Sequence, residues 1–226
     1  MRTGPQNKRL WATLAGKDAA LARLAQQAAP RDGPHIQHRV ALTDGVEALQ
    51  ERVQQYCPTF TLVLDFIHAD EKLWDVANSL FGETAAERMP WVERHSLDLL
   101  SGGVSQVITE LRRLVSLTTT TPTQQTVLTQ VANYFERNTA YMRYDQYLVH
   151  GWPIASGVIE GACRHLVKDR CELSGMRWTT TGVENLLRLR AVAENGDWEA
   201  YRRFGQQQRQ QRLYGVPGPA PALPEN

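Results

Sequence analysis

Apolar and polar positions change period along this chain, and the changes mark its elements. From Lys8 to Ala29 the chain is rich in Ala and Leu and helical in composition, and Pro30-Arg31-Asp32-Gly33-Pro34 breaks it. A short β-like run, Arg39-Val40-Ala41-Leu42-Thr43, ends at Asp44-Gly45. Val46, Leu49 and Val53 then recur at three- and four-residue spacing and predict a helix to Tyr56, stopped by Pro58. A second apolar run, Phe60-Thr61-Leu62-Val63-Leu64, ends at Asp65. Strand, helix of about three turns and strand make a βαβ unit with parallel strands.

Beyond Asp65 helical periods take over. Ala69, Leu73, Val76 and Leu80 predict a helix over 68–81 that Gly82 closes. Residues 86–117 read as one or two helices interrupted by Ser101-Gly102-Gly103, and Thr118–Thr121 reads as a loop before Pro122. A helical, tyrosine-rich stretch follows from Gln124 to Leu148, with Tyr134, Tyr141, Tyr144 and Tyr147 near helical spacing. Gly151-Trp152-Pro153 breaks the pattern. Helices are then predicted over 158–170, 182–194 and 197–211, with Gln206–Arg212 as a frayed end. The tail from Val216 has a disordered composition.

With 226 residues, 42% of them hydrophobic, the chain can bury one sizeable core, with room for a helical insertion. The net charge of +1 hides a pattern. Residues 1–60 and 151–215 are basic and the middle is acidic, a layout compatible with a polyanion held by the two ends. Cys57, Cys163 and Cys171 have no zinc-like spacing, and an odd count predicts free thiols in a reducing compartment. The start lacks the apolar core of a signal peptide, and no apolar run has membrane length. These features lead us to expect a cytoplasmic protein.

Parallel strands end along one edge, so Asp44 and Asp65 share a rim where ligands and catalysis usually sit. Capping of the following helices is the plainer reading of each aspartate. With Glu160 on a later helix, the rim carboxylates suit hard divalent ions such as Mg²⁺. Two such ions about 3.5–4 Å apart can hold the attacking and leaving oxygens of a phosphoryl displacement.

Asp44-Gly45, Leu64-Asp65-Phe66-Ile67-His68-Ala69 with Glu71-Lys72-Leu73-Trp74, and above all Gly151-Trp152-Pro153-Ile154-Ala155-Ser156-Gly157-Val158-Ile159-Glu160 resemble the DDE transposases of the ISKra group. Leu173-Ser174-Gly175-Met176-Arg177-Trp178, Glu184-Asn185-Leu186-Leu187-Arg188-Leu189-Arg190 and the opening Pro5–Ala12 continue the resemblance over about residues 5–205. It implies an α/β, incomplete RNase H-like fold with a large helical insertion and a helical C-terminal extension. The segments would be 1–35, N-terminal and helical; 36–69, the βαβ part of the core; 70–150, the insertion; 151–195, the glutamate helix and the next; and 196–226, a last helix and tail.

The same resemblance implies roles. Asp44 would be the second triad aspartate and Glu160 the final glutamate, both ligands to Mg²⁺ or Mn²⁺. Asp65 and His68 would shape the rim or touch DNA. Arg164, Lys168, Arg170, Arg177 and Trp178 are the candidate DNA contacts, although a solvated face explains the cations almost as well. The work implied is DNA cleavage and strand transfer at insertion-sequence ends. The expected partners are DNA and either another copy or an upstream transposase half.

One departure is plain. Before Asp44 the only aspartates are Asp18 and Asp32, and neither ends a strand-like run, so the first triad aspartate is missing. The chain then reads as a truncated remnant or as one half of a split or frameshifted frame. A catalytically inactive DNA-binding or regulatory fragment is the alternative.

Overall fold

In the computed structural model, which describes residues 6–215, the chain divides into two units, Lys17–Gly157 and Met1–Gly16 with Val158–Asn226. The fold is mostly helical with one small parallel sheet. The disordered composition expected from residue 216 onward lies outside the described residues.

The first unit starts with α1 (Lys17–Ala28), β1 (Val40–Thr43), α2 (Glu47–Tyr56) and β2 (Thr61–Leu64). Val40 pairs with Thr61 and Thr43 with Leu64 in a parallel register, so the βαβ reading holds. Five helices follow: α3 (Phe66–Phe81), α4 (Arg88–Leu100), α5 (Val104–Val115), α6 (Pro122–Asn138) and α7 (Tyr144–Val149). On α3, Ala69, Leu73, Val76 and Ala77 are fully buried, the stripe that helical spacing dictates. They meet Leu111, Leu128, Ala132 and Phe135 in the main core, to which Val63 and Leu64 of β2 also belong. Each leucine, valine or phenylalanine among them contributes roughly 1.5–3 kcal/mol when fully buried. A smaller cluster, Leu21, Val53, Cys57 and Leu62, joins α1 and α2 to β2.

The Arg39 and Thr43 carbonyls accept from the Thr61 and Asp65 amides. Parallel pairing alternates, so the peptide groups of Val40 and Leu42 point to the opposite edge of β1. No other strand among the described residues pairs there. Two parallel strands rarely form a sheet alone, and this edge is a template for another strand.

The second unit holds α8 (Gly157–Cys163, its first residue the last of the other unit), a π-helical stretch Arg164–Lys168, α9 (Asp169–Cys171), α10 (Thr180–Glu194) and α11 (Trp198–Tyr214). Among its described residues, Leu166, Leu187 and Ala191 are the buried apolar ones. The helix expected from Lys8 is absent: α1 starts only at Lys17, after Gly16 turns the chain at φ +93°. Residues 9–14 are held out of a helix by side chains of their own unit. The Asn195 amide takes both the N–H and the carbonyl of Leu10, Glu184 accepts from Thr13 and Leu14, and Arg9 grips Asp197. These tertiary bonds override an alanine-rich propensity.

Two other expectations change. The helix expected over 124–148 breaks after Asn138, where Asn138 and Thr139 bond back to the carbonyls of Tyr134 and Phe135. The end expected to fray at 206–212 is helical to Tyr214 and closes at Gly215 in a left-handed conformation, φ +63°.

Candidate active site

Asp44 and Asp65 follow β1 and β2 on the same edge of the sheet, and their surroundings differ sharply. Asp44 is exposed. One oxygen accepts the Val46 amide at 3.0 Å in a short turn, so Asp44 is not the cap of α2; that position is Val46. The second oxygen meets no donor among the described residues. The turn is braced from α6: Tyr134 donates its hydroxyl to the Asp44 carbonyl at 3.0 Å, and Arg137 donates to the Gly45 carbonyl at 3.1 Å. Gly45 has φ +81°, and a Cβ there would lie 2.5 Å from the Tyr134 hydroxyl, so only glycine fits the close approach.

Asp65 is 2% exposed and its oxygens are taken. One caps α3 through the Ile67 amide at 2.9 Å. The other accepts the Ser156 amide at 3.0 Å and the Ser156 hydroxyl. The neighbouring Phe66 amide donates to the Ile154 carbonyl at 2.8 Å. Asp65 therefore ties the Trp152–Ser156 segment to the end of β2. Trp152 is stacked on Tyr147, an apolar anchor for that segment.

His68 points its Nδ1 at Glu71, 2.9 Å away, on the first turns of α3. Asp44, Asp65 and Glu71 all act electrostatically on Tyr134. Burial first, and then the Asp44 carboxylate, push the Tyr134 hydroxyl up to about 12. Tyr144, buried and bonded to the Leu64 carbonyl, is also pushed up by burial. A tyrosine raised in the fold keeps its proton while the unfolded chain loses it. The stability it supports is complete below pH 10 and falls as pH rises toward about 12. The urea midpoint should drop across that window, and more shallowly in Tyr134→Phe. Parallel pH profiles for the two proteins would refute the Tyr134 assignment.

The other unit carries Glu160 in the first turn of α8, exposed and, among the described residues, without a hydrogen bond or ion pair. Just beyond it the helix widens into the π-helical stretch Arg164–Lys168, a geometry common at functional sites. Arg164 is 75% exposed and only 3.9 Å from Asp169, a loose pair. His165 meets the same carboxylate at 3.2 Å. Lys168, Arg170, Arg177 and Trp178 are exposed. All five candidate DNA contacts thus lie in this unit with side chains open to solvent.

The sequence reading missed Tyr134, Arg137 and Ser156 as supports of the rim. Among the described residues no group of three or more His, Cys, Asp and Glu side chains gathers in metal-binding geometry. Taken singly, Asp44 and Glu160 each expose a carboxylate oxygen that meets no donor among the described residues, the kind of oxygen a hard divalent ion takes, whereas both oxygens of Asp65 are occupied. No helix among the described residues is long and apolar enough to cross a membrane. Set against models of protein families, characterised proteins and solved structures, the chain matches none.

Proposed function

We propose that the chain is the C-terminal catalytic portion of a DDE transposase of the ISKra type. On this reading β1, α2 and β2 belong to an RNase H-like core. The observation that carries it is Asp44, an exposed carboxylate with a free oxygen at the C-terminal edge of a parallel pair, held in place by Tyr134 and Arg137. The Asp65–Ser156 tie adds support: Gly157 follows Ser156 directly and begins the helix that carries Glu160.

Asp44 and Glu160 would hold Mg²⁺ or Mn²⁺, which supplies Lewis-acid chemistry for phosphoryl displacement on DNA. Asp65 is a positioning residue that keeps the edge and the Ser156 segment together. Arg164, Lys168, Arg170 and Arg177 would neutralise phosphates, and Trp178 would stack on an unpaired base. The third carboxylate would come on a strand added to the open edge of β1, from an upstream transposase half or another copy. The three free cysteines suit a reducing cytoplasm.

The test uses labelled insertion-sequence-end DNA with Mg²⁺ or Mn²⁺, the chain alone, and the chain joined to the upstream half. Nicking and strand joining should arise only with the joined enzyme and vanish in Glu160→Gln. Robust, Glu160-dependent cleavage by the chain alone would overturn the division of the triad. No cleavage in any combination would leave the inactive DNA-binding fragment as the reading.

A further inference from the structure

Helix α11 spans 17 residues and buries none of them. At 1.5 Å per residue it is about 26 Å long. Its large apolar residues lie open to solvent, Trp198 at 56% and Leu213 at 62% among them. A helix that packs so little of itself needs another reason for its composition.

Four arginines and one glutamate lie on it. Glu199 pairs with Arg202 at 2.9 Å and reaches Arg203 at 3.8 Å, and the Arg202 guanidinium holds the Glu199 carboxyl below the usual range. Neither Arg209 nor Arg212 meets a carboxylate among the described residues. Helical geometry sorts these side chains. Within about 60° either side of Trp198 fall Tyr201, Arg202, Gly205, Arg209, Arg212 and Leu213. Glu199 and Arg203 fall outside that arc. The result is a stripe of three arginines and two aromatics, in which Arg202 is paired with Glu199 beside the stripe and Arg209 and Arg212 meet no carboxylate among the described residues. A Cβ built at Gly205, in its middle, would meet nothing within 4 Å.

Placement in the last turn accounts for Arg212, which a helix C-terminus favours. It does not account for Arg202 or Arg209, nor for exposed Trp198 and Tyr201 on the same face. A second copy fits poorly, because stacking this stripe on itself would bring guanidinium groups together. A polyanion with stackable faces fits both the charge and the aromatics.

We propose that the Trp198–Arg212 face of α11 binds the phosphodiester backbone of nucleic acid. Arg202, Arg209 and Arg212 contact successive phosphates, and Trp198 and Tyr201 lie against sugars or open bases. This adds a DNA contact remote in sequence from Glu160 and rests on the DNA-binding half of the proposed function.

The experiment is fluorescence anisotropy with the full chain and a labelled random 24-base-pair duplex, repeated with the single strand of equal length, from 50 to 200 mM KCl. Wild type is compared with the triple variant Arg202→Gln, Arg209→Gln, Arg212→Gln, with circular dichroism confirming retained helix. Three lost phosphate contacts should flatten the slope of log affinity against log salt by about 2–3 on duplex, and by about 2 on single strand. Arg203→Gln, off the stripe, should leave the slope unchanged, whereas a lost phosphate contact there would flatten it by about 0.9 on duplex. Trp198→Ala weakening the single strand more than the duplex would support stacking on open bases. An unchanged slope in the triple variant would overturn the α11 assignment alone. No binding by wild type would overturn the DNA reading as well. Arginine-dependent dimerisation, or binding to phosphatidylserine vesicles but not to DNA, would overturn the nucleic-acid assignment.

Discussion

Asp65→Ala is expected to destabilise the folded chain by about 3–5 kcal/mol, the sum of a lost helix cap and buried donors left unpaired. The carboxylate accepts from the Ile67 amide, the Ser156 amide and the Ser156 hydroxyl while almost wholly buried. Truncation strands two backbone N–H groups, which cannot rotate toward another acceptor. It also frees the 152–156 segment from the end of β2. Asp65→Asn should cost less, about 1–3 kcal/mol, because its amide oxygen still serves one set of donors while its NH₂ opposes the other. Ser156→Ala removes only the hydroxyl bond and should cost about 1 kcal/mol. Urea unfolding followed by tryptophan fluorescence gives all three values. An Asp65→Ala chain within 1 kcal/mol of wild type would refute the structural role.

Asp44→Asn and Glu160→Gln should reverse that profile. Each should leave stability within about 1 kcal/mol of wild type, since both side chains are exposed and an asparagine oxygen still accepts the Val46 amide. In the joined enzyme each should lower DNA cleavage by roughly a thousandfold or more, as expected when several kcal/mol of metal-borne charge stabilisation is lost. Asp65→Asn should retain measurable cleavage at temperatures where it stays folded. Cleavage rates at 20 °C for the three variants, each corrected for folded fraction, decide the matter. A loss in Asp65→Asn as complete as in Asp44→Asn would make Asp65 the working aspartate.

The sheet was legible because short β-rich runs, each closed by an aspartate and separated by a helix-length segment, have few other solutions. So was α3, whose buried face repeats at helical spacing. What local pattern does not carry are bonds between distant residues. Asp65 and Ser156 are 91 residues apart, and Tyr134 reaches Asp44 across 90. Tyr134 looked like core packing because its ring lies at helical spacing, yet its hydroxyl braces the Asp44 turn. The opening segment misled for the same reason: its alanines favour helix, but Glu184, Asn195 and Asp197, some 170 to 190 residues later, bond it in an irregular path. The resemblance gave Asp44 and Asp65 different roles, and their surroundings differ too: Asp44 is exposed, whereas Asp65 is buried with both oxygens taken.

The most direct test of a shared metal at Asp44 and Glu160 is iron-mediated cleavage of the polypeptide. Fe²⁺ replaces Mg²⁺, ascorbate and peroxide generate hydroxyl radicals at the bound ion, and mass spectrometry locates the backbone cuts. If both carboxylates hold the same ions, cuts cluster near residue 44 and near residue 160 in the same sample. Excess Mg²⁺ suppresses both clusters, and so does either Asp44→Asn or Glu160→Gln. Cuts confined to one of the two sites, or two clusters that ignore both substitutions, would contradict it.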